Sequence, residues 1–89
     1  MTVRRRVTVG HDPGLHARPA REVVDLASSF EATVAVRPTA SDESAALESV
    51  LSLTALGLQA GEDVVVAADG EEARAAVEAV GDAIAEGAE

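Results

Sequence analysis

The sequence predicts an α+β domain: an open-faced two-layer sandwich, with a four-stranded antiparallel sheet carrying three helices on one face. Three observations predict it. The hydrophobic period switches repeatedly between two and about 3.6, the signatures of strand and helix. The segments so defined run β-α-β-β-α-β-α, an order that suits two layers around one core. The chain has 89 residues, of which 47% are hydrophobic. That is enough for one domain, residues 1–89, with a thin core and no room for a second.

Each element follows from its residues. Residues 2–9 are rich in β-branched side chains, and Val3, Val7 and Val9 share one face. Arg5 has the same parity, which places it at a sheet margin, its stem along the core and its head in water. Gly10 to Gly14 is a cluster of breakers. A helix is expected from about His16, with Pro19 in the first turn, where no amide is needed. Ala20, Val23, Val24, Ala27 and Phe30 then recur at helical spacing and define a buried stripe. Residues 32–37 read as a second strand, and 38–44 as a turn-rich region with a short third strand near it. From Ser49 to Leu56, Val50, Leu51, Leu53 and Leu56 are helix-spaced, with Gly57 at the stop position. Residues 64–68, Val-Val-Val-Ala-Ala, form the most apolar strand, closed by Asp69-Gly70. A last helix covers 71–86, with Glu71 and Glu72 in its first turn.

Composition excludes several functions. Cysteine is absent, so disulfides, thiolate metal sites and thiol redox chemistry are out. Phe30 is the only aromatic residue, which removes stacking on bases as a binding strategy. The net charge is −9, and all seven cations are arginine. Residues 1–41 carry +2, and residues 42–89 carry −11. Such a surface repels nucleic acid and anionic lipid, and no apolar run approaches the length of a membrane span. The expectation is a cytoplasmic monomer without cofactor or metal. His11, Asp12 and His16 match no common ligand spacing, and His11 is expected to be a solvated loop residue.

One stretch joins a reactive side chain to a geometry that can use it: Gly14-Leu15-His16-Ala17-Arg18-Pro19-Ala20. The amides of Ala17 and Arg18 open the helix without intrahelical acceptors, and the helix end carries partial positive charge. Together they suit an anion. Arg18 adds a guanidinium matched to phosphate oxygens. Positive surroundings disfavour the imidazolium, and a neutral ring nitrogen is a nucleophile. From the residues alone two readings stand: a histidine that caps a helix, and a histidine that accepts a phosphoryl group.

The same heptapeptide closely resembles the active-site signature of the HPr family, the histidine-containing phosphocarriers of the phosphoenolpyruvate:sugar phosphotransferase system. Residues 48–58 resemble that family's second helix and its exit, and 59–66 its turn and fourth strand. The resemblance implies a carrier rather than an autonomous enzyme. It implies that His16 takes a phosphoryl group at Nδ1 from phospho-enzyme I and passes it to a histidine of an enzyme IIA domain during sugar uptake. It assigns Arg18 to the catalytic motif and Ala17 and Arg18 to phosphate binding. It places Val50, Leu51 and Thr54 on the docking helix. Ala20 and Val24 are expected to extend these into a small apolar patch beside Arg21. Ser49 aligns with a serine phosphorylated for regulation in some relatives, although Glu48 stands where those relatives have lysine. Its other role is a helix N-cap. Pro13 replaces a residue that is often polar, and the lysines common around the docking face are absent.

Overall fold

In the computed structural model, which describes residues 2–11, 14, 15 and 17–86, a four-stranded antiparallel sheet is packed with three helices. The elements are β1 (Thr2–Thr8), α1 (Ala17–Ser28), β2 (Thr33–Pro38), β3 (Ala45–Ala46), α2 (Val50–Ala55), β4 (Asp63–Asp69) and α3 (Ala73–Ala85). The strand order is β1-β4-β2-β3.

The most apolar strand takes a central place. On β4, Val64, Val66 and Ala68 are buried, which is the period-two face pointing at the helices. Register opposes Val7 to Val64 and Arg5 to Val66 on one side, and Val36 to Val66 and Val34 to Ala68 on the other. The short β3 pairs Ala45 with Val36 and Ala46 with Ala35, and Leu47 N donates to Val34 O beyond it at 2.8 Å. The third strand thus follows the 38–44 turn region.

The helices cover the buried face with small and branched side chains. Ala20, Val23, Val24 and Ala27 of α1 meet the core, as do Ala73, Ala76, Val77, Val80 and Ile84 of α3. Burying this set supplies most of the stabilisation. Phe30 is only half-buried at the rim. Arg5 lies at the sheet margin as its parity predicts. Its Nη1 donates to Glu78 O at 3.0 Å, and its Nη2 pairs with Asp82 at 2.9 Å. The guanidinium crosses α3 at Gly81, where a Cβ would stand 2.8 Å from Nη1. A glycine in mid-helix, unfavourable by propensity, gives the arginine its seat.

Two expectations need correction. The last helix begins at Ala73, and Glu71 and Glu72 precede it. Glu72 makes no side-chain cap; its carboxylate accepts instead from Glu31 N at 2.8 Å, joining the β2 approach to the α3 approach. Asp63, outside the strand expected at 64–68, opens β4 and braces β1. It accepts from Thr8 Oγ1 at 2.6 Å and Arg6 Nη2 at 2.9 Å. These bonds to the ionised form, with Thr8 the larger cause and Arg6 next, hold its carboxyl below the ordinary value.

Candidate functional site

The segment leading to the predicted acceptor is held at both ends. After β1, Val9 N donates to Glu62 O at 2.9 Å and Val9 O accepts from Gly61 N at 2.8 Å. Gly10 N donates to Ile84 O at 3.0 Å. At the far end Gly14 bridges to Gln59, and Leu15 N donates to Leu58 O at 2.9 Å. Leu15 and Leu58 are both buried and anchor this meeting in the core. Gly14 is needed for close approach. A Cβ there would run into Leu58 O and lie 2.9 Å from Gln59 Cα.

His16, Asp12 and Pro13 lie outside the described residues. Their neighbours set the frame. Leu15 ends the pinned segment, and α1 begins at Ala17. The helix has 12 residues and no acid in its first turn, so no carboxylate of that turn offsets the positive potential of its amide end. Arg18 is exposed in that turn. Arg21 is exposed one turn on, within 3.9 Å of Asp25, a weak surface pair.

The turn at Leu58–Gln59 is the exit of α2, so the two segments singled out by sequence are neighbours. Ser49 is the N-cap of α2, its Oγ accepting from Ser52 N at 3.1 Å. Gly57, at φ +64°, ends the exit in the left-handed region. Leu53 faces the core, and Val50 and Thr54 are half-buried. Leu51 is 79% exposed, the large hydrophobic side chain that stands in solvent among the described residues.

The apolar patch is smaller than expected. Ala20 is 0% and Val24 7% exposed, so neither offers a docking surface. The reason is their helical spacing: both belong to the stripe that also carries Val23 and Ala27, and that stripe faces the core. His11 also departs from expectation. It is half-buried, and its Nε2 lies 2.7 Å from Ala83 O in the last turn of α3. Spacing offered no signal for this contact, because the partners are 72 residues apart.

Comparison with known proteins places this arrangement. The family model described as PTS HPr component phosphorylation site matches residues 3–86. A phosphocarrier protein HPr from Streptomyces coelicolor is 43% identical over 86 residues, covering 96% of this chain and 90% of its own length. One from Haloferax volcanii is 40% identical over 78 residues, 88% of each chain. The crystal structure of HPr from Bacillus anthracis str. Ames superposes with a TM-score of 0.86 at 26% identity, over 93% of this chain and 96% of that one.

Proposed function

The chain belongs to the HPr family of phosphocarrier proteins of the phosphotransferase system, and on that premise we propose that His16 accepts a phosphoryl group from phospho-enzyme I and hands it to a histidine of an enzyme IIA domain during sugar uptake. The observation that carries this reading is local. A pinned Gly14–Leu15 segment delivers the chain to a helix that starts at Ala17 with no acid in its first turn.

The chemistry needs little from so small a protein. In the first step the P–N bond of the donor phosphohistidine breaks as the neutral His16 Nδ1 lone pair forms a new one. The donor ring keeps the electron pair of the broken bond. The second step repeats this displacement with His16 as donor. Such transfer depends on position and charge stabilisation. The Ala17 and Arg18 amides and the Arg18 guanidinium hold the phosphoryl oxygens. Val50, Leu51 and Thr54 on α2, with Arg21 beside them, form the docking surface for both partners. An exposed patch of this size suits contacts that must break quickly.

The test is incubation with phosphoenolpyruvate and enzyme I, followed by intact-mass measurement at neutral and acid pH. The expected product is one phosphoryl group that is lost in acid, and His16→Ala should take none while folding normally. Label retained by that variant overturns the assignment.

A further inference from the structure

The last turn of α3 ends in carbonyls with no amide ahead of them in the helix, and a helix C-terminus carries partial negative charge. Two of these carbonyls are taken by the segment that leads to His16: Ile84 O by Gly10 N at 3.0 Å, and Ala83 O by His11 Nε2 at 2.7 Å. A carbonyl oxygen only accepts, so Nε2 carries the proton and the neutral ring is the Nε2–H tautomer. The other ties of the segment, at Val9, Gly10, Gly14 and Leu15, are made by backbone atoms. Among the described residues of this segment, His11 alone holds it through a side-chain hydrogen bond.

We propose that His11 is a positioning residue for phosphoryl transfer, tethering the chain ahead of His16 to the end of α3. The proposal rests on His16 being the acceptor. Backbone bonds at Val9 and Gly10 fix one end of the segment, and those at Gly14 and Leu15 fix the other. The His11 side chain adds a further anchor beside the first of these. In-line transfer between two histidines is sensitive to misplacement at the ångström scale. Loosening the segment therefore lowers the rate in the bound complex. Docking is unaffected, because α2 lies on the other tie.

His11→Ala and His11→Gln are compared with the unaltered protein as substrates of phospho-enzyme I, with thermal unfolding measured alongside. The expected result for His11→Ala is a kcat reduced about tenfold with KM within about twofold. His11→Gln, whose amide can still donate to Ala83 O, recovers most of the kcat. Unchanged kcat in folded His11→Ala, or a loss carried by KM alone, overturns the proposal. A second measurement is independent of how the variants fold: 15N NMR of the unaltered protein should show His11 as the Nε2–H tautomer with slowed exchange of that proton. A rapidly exchanging Nδ1–H tautomer equally overturns it. If the unaltered protein takes no phosphoryl group on His16, the carrier reading fails, and the tautomer measurement still decides whether the tether exists.

Discussion

Arg18 occupies the first turn of α1 with its side chain in solvent, so the proposed function has it serve transfer far more than folding. Arg18→Ala should leave unfolding free energy within about 0.5 kcal/mol of the original. It should slow phosphoryl transfer about 10- to 100-fold, since one donor to a developing phosphoryl charge is lost. Stopped-time labelling beside a urea titration separates the two effects. Asp63 has the opposite character. Its carboxyl lies below the ordinary value of 3.8 because Thr8 and Arg6 hydrogen-bond the ionised form. A pKa depressed on folding adds stability that is complete above the unfolded value and disappears as pH falls through the folded one. Asp63→Asn should therefore be less stable near neutrality and should show a flatter loss of stability below about pH 4. Urea midpoints measured across that range check it. Ala20 and Val24 carry a lesson at this scale: a motif neighbour on a buried stripe remains a core residue.

Among the elements, α2 is the most exposed to a single change. It has six residues, too few to persist without outside support. Leu53 holds it to the core, and Ser49 caps its start. Ser49→Ala should cost about 1 kcal/mol by leaving the Ser52 amide without its acceptor. Hydrogen exchange should report faster opening confined to α2 and its exit. Equal protection there in the variant would mean that packing alone holds the turn. The α1 start depends on the α2 exit through the Leu15–Leu58 bond, so fraying of α2 reaches the segment before His16.

Across the whole molecule, charge sets the balance. The net charge is −9, and the ion pairs among the described residues engage Asp82, Asp63 and Asp25. The remaining acids repel one another through water. Added salt shortens the screening length from about 10 Å at 0.1 M to about 3 Å at 1 M. It weakens the repulsion more than the three exposed pairs, because acids outnumber arginines 16 to 7. The urea midpoint should rise steadily with sodium chloride over that range, and a falling midpoint would show that the ion pairs dominate.

Much of this architecture was legible in the residues themselves. Periods of two and 3.6 reveal which side chains point inward, a local property, so the β1 and α1 faces could be read in advance. The HPr-like heptapeptide directed attention to His16 and Arg18 for the same reason, since its residues are adjacent in the chain. The strand order β1-β4-β2-β3, the seat of Arg5 on Gly81, the Asp63 brace and the His11–Ala83 bond were decided only by tertiary structure. Each joins segments far apart along the chain, and spacing within a segment carries no record of which distant segment will lie against it.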